Sequence, residues 1–196
     1  MSDAAADTAR PGAYAVPGDL AMWWFILAEL AVFGALLASL IVAGALAPEV
    51  FAAGRAGLHP VAGLANTVML LTGSYLVARG IDAAAAEGPR RCAPWFLAAT
   101  LAGAGYVAVK LGEYADLAAA GYNLRTSTFH FFYFFTTVFH LMHVVLGMIV
   151  LAAVARRCRR GDYDDEGLRA PESAASYWHM VDLVWLALFP LLYVLP

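Results

Sequence analysis

The chain has 196 residues, of which 62% are hydrophobic and only 14% are charged, and its formal net charge is −3. A soluble domain averages about 25% charged residues. The composition therefore excludes an ordinary soluble domain and indicates a protein that is largely embedded in a membrane. We expect no nucleic-acid partner.

Five stretches that are almost free of charged residues follow one another along the chain. They are residues 20–46, 60–78, 92–109, 126–155 and 173–196. Each reaches the length of roughly 17–25 residues that a helix needs to cross a bilayer. We therefore predict an all-α, polytopic membrane protein in which residues 20–196 form a bundle of five transmembrane helices.

Residues 1–19 precede the first stretch and are small, polar and slightly acidic. They lack the basic start and short apolar centre of a secretory signal peptide. We therefore expect them to be retained as a mobile cytoplasmic tail.

The arginines predict the orientation of the bundle. If the N-terminus is cytoplasmic, nine arginines lie on that side and two on the other: Arg10, Arg79, Arg90, Arg91, Arg156, Arg157, Arg159, Arg160 and Arg169 against Arg55 and Arg125. Basic residues concentrate on the cytoplasmic side of membrane proteins. We predict a multi-pass protein of the bacterial inner (cytoplasmic) membrane, with a cytoplasmic N-terminus and a periplasmic C-terminus.

The predicted connections are short and contain few functional signals. They span residues 47–59, 79–91, 121–123 and 156–172. The last begins with an arginine run and continues with four acidic residues. We expect a solvated loop whose arginines stop translocation. The alternative is docking to anionic lipid headgroups, worth about 1 kcal/mol per base, which the acidic residues would weaken.

Two cysteines, Cys92 and Cys158, lie at predicted helix ends beside arginines. The sequence contains no Cys-x-x-Cys and no Cys-x-x-Cys-His. These motifs are typical of redox dithiols and of covalent c-type haem attachment, respectively. The sequence therefore gives no support for either.

Glu29 is the first of several ionisable residues inside the apolar stretches. It follows Leu20 by nine residues, which is about 14 Å along a helix and close to the bilayer midplane. A carboxylate at that depth costs several kcal/mol. Two interpretations stay open: proton transfer, or a protonated carboxyl group that forms a hydrogen bond with a neighbouring helix.

Lys110 and Glu113 are three residues apart, so they share a helical face and can form an ion pair. Lys110 also lies near the end of the third stretch, from which its amine could extend to the membrane surface. We favour a structural ion pair. In the second stretch, Asn66 and Thr67 add two further buried hydrogen-bonding groups.

His140 and His143 share one face of the fourth predicted helix, and His130 lies near its start. A tetrahedral metal site needs three or four ligands, and a di-iron bundle needs Glu-x-x-His pairs. The sequence has no Glu-x-x-His. We therefore predict no metal site, and neutral imidazoles that form hydrogen bonds between helices.

Residues 177–185 read Tyr-Trp-His-Met-Val-Asp-Leu-Val-Trp and place His179 and Asp182 one helical turn apart. We expect these two side chains to orient one another. No residue is assigned a catalytic role. The predicted structural polar network comprises Asn66, Lys110, Glu113, His140, His143, His179 and Asp182, with Glu29 as a separate intramembrane carboxylate.

These motifs, in this order, resemble subunit III of the haem–copper oxidases, the cytochrome c oxidase subunit III family. The matching segments are Phe25-Ile-Leu-Ala-Glu29, His59-Pro60, Asn66-Thr67-Val-Met-Leu-Leu, Glu113-Tyr114, Phe139-His-Leu-Met-His-Val144 with Gly147, and Glu172 through Asp182 to Trp185. They extend over nearly the whole chain from Trp23.

The resemblance implies a subunit that carries no haem or copper and performs no electron transfer. Such a subunit packs on a catalytic haem-containing membrane subunit, binds phospholipid between its helices and supports sustained proton uptake and turnover. No cofactor other than bound phospholipid is expected. Glu29 matches the family's carbodiimide-reactive intramembrane carboxylate, and His140, His143, His179 and Asp182 match polar residues of its helix bundle.

Three departures from the family pattern narrow the assignment. We expect five helices where the family usually has seven, because the chain begins where the family's third helix would; the two further helices help to form a lipid cleft in the family. The segment Val138-Phe-His-Leu-Met-His143 has larger side chains where the family pattern Gly-Phe-His-Gly-Leu-His has glycines, and Lys110 replaces the family's usual glutamine. These features resemble the members of the family associated with nitric oxide reductase (NorE-like).

The functional expectation is a non-catalytic accessory subunit of a respiratory haem–copper terminal reductase, associated with nitric oxide reductase and supporting assembly or sustained turnover. A shortened subunit III of an oxygen-reducing cytochrome c or quinol oxidase is the first alternative. A proton or small-molecule channel that uses Glu29 is an alternative of another class.

Overall fold

The structure is a computed structural model that describes residues 18–163 and 167–195. Most of the predicted tail, residues 1–17, lies outside the described residues. The last two residues of that predicted segment are held in place: the Gly18 amide donates a hydrogen bond to Glu172 Oε2 (2.8 Å), and the Asp19 amide donates one to Ser173 Oγ (2.9 Å).

The described residues form helices joined by short turns. The α-helices are α1 (Leu20–Leu46), α2 (Pro48–Ala56), α3 (Pro60–Glu87), α4 (Cys92–Ala119), α5 (Thr128–Arg160) and α6 (Arg169–Phe189). A single 3-10 turn, Pro89–Arg91, precedes α4, and a π-helix, Pro190–Val194, continues α6. Five of these helical segments are long and apolar enough to cross a membrane, which confirms the predicted number and class of element.

The predicted bounds are confirmed at both ends of α1 and at the starts of α3 and α4, but several other helix ends differ from the prediction. α3 continues beyond Ala78 to Glu87, and α4 continues beyond Val109 to Ala119. The prediction stopped each helix at the first charged residues, but charged side chains are compatible with a helix that emerges from the membrane. The predicted connection at residues 47–59 contains the short helix α2, which begins with Pro48. Proline favours the first turn of a helix because its missing N–H has no partner there anyway.

The bundle has two distinct ends. Gly18 meets the start of α6 at one end, and the start of α4 meets the end of α5 there through Cys92 and Cys158. We call it the arginine-rich end, because it carries most of the arginines of the described chain: Arg79, Arg90, Arg91, Arg156, Arg157, Arg159, Arg160 and Arg169. α2 and the π-helix lie at the opposite end.

Helices α3 to α6 form the core of the bundle, and α1 packs against α5 and α6 from outside. α3 and α4 make the most extensive helix pair. α1 is the least buried of the five long helices and α6 is the most buried. The sequence of α6 is consistent with this position, because its buried residues include the large aromatic side chains Tyr177, Trp178 and Trp185.

Trp178 of α6 is enclosed by glycines from three other helices. A Cβ atom added to Gly73 of α3, Gly103 of α4 or Gly147 of α5 would lie 3.0, 2.8 or 3.1 Å from the Trp178 indole. The indole is 1% exposed. In membranes, small residues let helices approach closely and gain packing contacts. Here they also leave the space that one large ring occupies.

The packing around Trp178 predicts different effects for two glycines of α4. In Gly103→Ala the new methyl group meets Trp178 at 2.8 Å and Met148 at 2.9 Å, whereas in Gly112→Ala it meets no atom within 4 Å. Overpacking a filled core costs about 1–3 kcal/mol. We expect Gly103→Ala to lower the midpoint of thermal unfolding in detergent and Gly112→Ala to leave it unchanged or slightly raised. Equal midpoints for the two variants would contradict this packing.

Candidate functional site

A buried lysine is held by three side chains from three segments. Lys110 Nζ of α4 donates hydrogen bonds to Glu113 Oε2 (2.8 Å), to the Tyr133 hydroxyl of α5 (3.0 Å) and to the Tyr193 hydroxyl of the π-helix (2.8 Å). An ammonium group has three donors, so all three are used. We call these four residues the Lys110 cage.

The cage satisfies the carboxylate as well as the amine. The Tyr193 hydroxyl is 2.8 Å from both oxygens of Glu113 and donates its single proton to this carboxylate, while it accepts from Lys110. Aromatic faces complete the enclosure, with Lys110 Nζ 4.7 Å from the Tyr133 ring centroid and 5.4 Å from that of Trp185. A cation near an aromatic face is stabilised by the ring quadrupole.

Lys110 and Glu113 form the ion pair that their spacing predicts. The alternative, in which the Lys110 amine extends to the membrane surface, is wrong. Because α4 continues to Ala119, Lys110 lies well inside the helix, and its side chain is 0% exposed. Tyr133 and Tyr193 were not predicted as members of the site. Their hydroxyl groups in apolar stretches were the available signal, because buried tyrosine hydroxyls usually have a hydrogen-bond partner.

A second polar pair joins α1 to α5. Glu29 Oε2 lies 3.0 Å from His143 Nε2, and the side chains are 20% and 10% exposed. A hydrogen bond to a neighbouring helix was one of the two interpretations of Glu29 that the sequence left open, and in the structure His143 of α5 lies within hydrogen-bonding distance. The two residues are 114 positions apart, so their spacing could not reveal the pair.

The other ring nitrogen of His143 determines how many protons this pair holds. His143 Nδ1 lies 2.8 Å from the Phe139 carbonyl oxygen. A carbonyl oxygen can only accept, so Nδ1 carries a proton. One further proton must then lie between Nε2 and Glu29, as a neutral carboxyl group donating to a neutral imidazole or as an imidazolium donating to a carboxylate. In both forms the pair has a net charge of zero.

Several other buried polar groups have no hydrogen-bond partner within the described part of the chain, among them those of Asn66 of α3, Tyr106 of α4, His140 of α5 and the indole N–H of Trp178 of α6. His140 lies among aromatic rings, 5.8 Å from the Tyr106 centroid and 5.4 Å from that of Trp185. The prediction that His140 forms hydrogen bonds between helices is therefore wrong. The described residues around His140 present aromatic rings to its imidazole.

The predicted pairing of His179 with Asp182 is not found. α6 is rotated so that Asp182 is buried, 5% exposed, while His179 lies on the exposed surface of the helix. Asp182 lies beside Ser74 of α3. Neither Asp182 Oδ1 nor the Ser74 hydroxyl has a well-formed hydrogen bond to a described residue. Residues three apart are separated by only about 60° around a helix, so a contact between His179 and Asp182 was possible. The burial of Trp178 and Trp185 determines which side of α6 faces the interior, and Asp182 lies on that side whereas His179 does not.

The two cysteines meet at the arginine-rich end. Cys92 Sγ and Cys158 Sγ are 2.8 Å apart, both side chains are buried, and they are not joined by a disulfide. The sequence motifs gave no support for a dithiol, because 66 residues separate the two positions. This contact connects the start of α4 to the end of α5.

Two cavities lie at opposite ends of the bundle. The larger, of about 740 Å³, is lined by α1, α5 and α6; its apolar wall includes Phe25 and Val150, and its charged residues are Asp19 and Arg169. A smaller one, of about 110 Å³, is lined by Glu113 and residues at the opposite end. Across residues 18–163 and 167–195, no three His, Cys, Asp or Glu side chains lie close enough together to hold a metal ion.

Comparison with known proteins identifies relatives over most of the chain. The family model described as cytochrome c oxidase subunit III matches residues 15–195. The chain is 34% identical to cytochrome c oxidase subunit 3 of Thermostichus vulcanus over 66% of this chain and 64% of the relative. It is 30% identical to that of Synechocystis sp. over 66% and 55%, and 29% identical to that of Corynebacterium diphtheriae over 66% and 63%. The matched region spans less than two thirds of the length of each of these relatives.

The Lys110 cage predicts a large cost for removing its cation. In Lys110→Met, Glu113 is left as a buried carboxylate without a cation, which costs about 3–5 kcal/mol. We expect a large loss of thermal stability in detergent and partial recovery in the double variant Lys110→Met/Glu113→Gln.

The control for this experiment is an exposed ion pair of the same length. Arg91 Nε lies 2.8 Å from Glu87 Oε2, but the side chains are 64% and 57% exposed. Exposed pairs contribute about 0–1 kcal/mol. Arg91→Ala should therefore leave the unfolding midpoint nearly unchanged. If Arg91→Ala and Lys110→Met destabilise the protein equally, burial does not control the strength of the Lys110 pair.

Proposed function

The chain belongs to the cytochrome c oxidase subunit III family, and on this premise we propose that it is a non-catalytic accessory membrane subunit of a respiratory haem–copper terminal reductase. The observation that carries the proposal is the use of the buried charges. Lys110 and Glu113 satisfy one another and two tyrosines, and Glu29 bonds His143. These contacts hold the helices of the bundle together, as expected of a subunit whose role is to stabilise a larger complex.

The partner that we propose first is the catalytic subunit of a nitric oxide reductase. The departures Lys110 and His140-Leu-Met-His143 support this assignment, and the complete enclosure of Lys110 indicates that the substitution is accommodated by a dedicated set of side chains. A second candidate is the catalytic subunit of an oxygen-reducing oxidase. It is favoured by the similarity to proteins named cytochrome c oxidase subunit 3 in several bacteria.

We propose further that the arginine-rich end faces the cytoplasm of a bacterial cell and that the protein lies in the inner membrane. The support is the distribution of basic residues, which the positive-inside rule relates to the cytoplasmic face. We also propose that the cavity of about 740 Å³ between α1, α5 and α6 holds part of a phospholipid. Its apolar lining suits an acyl chain, and Asp19 and Arg169 suit a polar headgroup.

The accessory role predicts the composition of the native complex. The full chain, tagged and extracted from its native membranes in mild detergent, should co-purify with a haem-containing catalytic subunit in a fixed ratio. Mass spectrometry of that subunit distinguishes a nitric oxide reductase from an oxygen reductase. When the chain is deleted, the remaining complex should lose its activity toward the matching electron acceptor sooner than the complete complex does. Stoichiometric haem or copper in the isolated chain would contradict the non-catalytic role.

The Glu29–His143 contact predicts a specific effect on that complex. Glu29→Gln keeps the shape of the side chain but removes the acidic proton, so a Gln amide must donate to Nε2 in its place. We expect the complex to assemble and its activity to decline faster during sustained turnover. Ser39→Ala is the control on the same helix, because the Ser39 hydroxyl donates to its own helix at Ala35 O (2.8 Å). Identical turnover curves for the two variants would exclude a proton-related role for Glu29.

The channel hypothesis is tested separately in liposomes that contain the chain without other subunits. Passive proton flux that is abolished in Glu29→Gln and retained in Ser39→Ala would favour a channel over an accessory role. An accessory subunit is expected to produce no flux above that of empty liposomes.

A further inference from the structure

Two thiols meet where α4 begins and α5 ends, and the function proposed above uses neither of them. Cys92 is the first residue of α4, and Cys158 lies in the last turn of α5, which ends at Arg160. Their Sγ atoms are 2.8 Å apart, and both side chains are 0% exposed. The sequence of 196 residues contains two cysteines, so this pair accounts for all of its thiols.

The two sulfur atoms are close to bonding distance. A disulfide bond is about 2.05 Å long, so two Sγ atoms that are 2.8 Å apart have to approach by about 0.75 Å. Both residues lie at helix ends, which shift more readily than helix centres. The 3-10 turn Pro89–Arg91, directly before Cys92, also packs on α5. The backbone therefore brings the two thiols together before any bond forms between them.

A metal ion does not explain this arrangement. In a tetrahedral site with zinc–sulfur bonds of about 2.3 Å, two sulfur ligands are about 3.8 Å apart, which is more than the 2.8 Å between Cys92 Sγ and Cys158 Sγ. Within residues 18–163 and 167–195, no third His, Cys, Asp or Glu side chain completes a metal site with them. The geometry is that of a reduced dithiol.

From this geometry we propose that Cys92 and Cys158 are a modification site, at which a small peroxide such as hydrogen peroxide forms a reversible disulfide that joins α4 to α5. The oxidant is assigned by size and charge. Both thiols are buried, and a small uncharged peroxide reaches them through a smaller local opening of the helix ends than a bulky disulfide reagent needs. With the arginine-rich end on the cytoplasmic side, as proposed above, the dithiol is the resting form, because cellular thiols keep cytosolic cysteines reduced.

The reaction has two steps, and its atoms and electrons balance. The thiolate of one cysteine attacks a peroxide oxygen, the O–O bond breaks, and water leaves after protonation, which gives a sulfenic acid. The sulfur of the other cysteine then attacks the sulfenic sulfur, the S–O bond breaks, and a second water leaves with the remaining thiol proton. Two thiols are oxidised by two electrons in total, and one hydrogen peroxide is reduced to two water molecules.

The disulfide has a consequence for stability that can be measured. It closes a loop between positions 66 residues apart, and such a cross-link restricts the unfolded chain. We expect the midpoint of thermal unfolding to rise by about 4 °C or more after oxidation. Dithiothreitol should return the midpoint to its original value.

The test is peroxide treatment of the full chain with its co-purifying subunits, in detergent, after prior reduction. The complex is then denatured, its free thiols are blocked with N-ethylmaleimide, and the peptides of this chain are identified by mass spectrometry. We expect the parent chain to lose both maleimide labels and to yield a peptide pair joined through Cys92 and Cys158. Treatment with dithiothreitol before blocking should restore both labels.

A matched control moves one thiol by a single position. The variant Cys158→Ala/Arg159→Cys keeps two thiols but places the second on the exposed surface of α5, since position 159 is exposed. It should form no disulfide within one chain. The site would be overturned if this variant forms the bond as fast as the parent does. It would also be overturned if the parent keeps both labels, or gains sulfinic acid without a disulfide, at a peroxide concentration that oxidises the exposed thiol of the variant.

The single variants Cys92→Ser and Cys158→Ser keep the proposal testable if the relocated variant does not fold. Each retains one thiol and cannot form a disulfide within the chain. Peroxide should therefore raise the unfolding midpoint of the parent and leave that of both single variants unraised. An equal rise in the parent and in either single variant would show that the disulfide is not the cause.

Discussion

The burial of one ammonium group constrains the geometry of the bundle more strongly than any other contact. Lys110 Nζ is fully enclosed, so every one of its donors must find an acceptor inside the protein. The acceptors come from α4, α5 and the π-helix, through Glu113, Tyr133 and Tyr193. The π-helix that begins at Pro190 contributes to this arrangement, because it places the Tyr193 hydroxyl beside the Lys110 amine. A lysine in this position therefore fixes the relative height and rotation of three chain segments.

A second constraint on the bundle is the size of the Trp178 side chain. Gly73, Gly103 and Gly147 leave a space that one indole fills, so α3, α4 and α5 approach α6 at a single height. The two constraints are complementary. Polar contacts in an apolar medium specify direction, while close packing of small residues against a large ring specifies distance. Together they determine which residues face the interior of the bundle.

The sequence predicted the local features of the fold and missed those that depend on helix rotation. The five apolar stretches and the Lys110–Glu113 pair were predictable, because both depend on spacing within one helix. The partner of Glu29 and the contact between Cys92 and Cys158 were not, since each joins residues far apart in sequence. The predicted pairing of His179 with Asp182 was wrong for a different reason. Spacing allowed it, but the packing of two tryptophans decided which of the two residues faces inward.

The Glu29–His143 pair shows how a weakly attached helix can carry an ionisable group without a large cost. α1 is the least buried of the long helices, so few packing contacts are available to hold it. A lone carboxylate there would cost several kcal/mol. Because His143 Nδ1 is bonded to the Phe139 carbonyl, the pair holds one proton between Nε2 and Glu29 and stays neutral wherever that proton lies. Glu29 and His143 therefore join α1 to α5 inside the membrane without placing a net charge between the two helices.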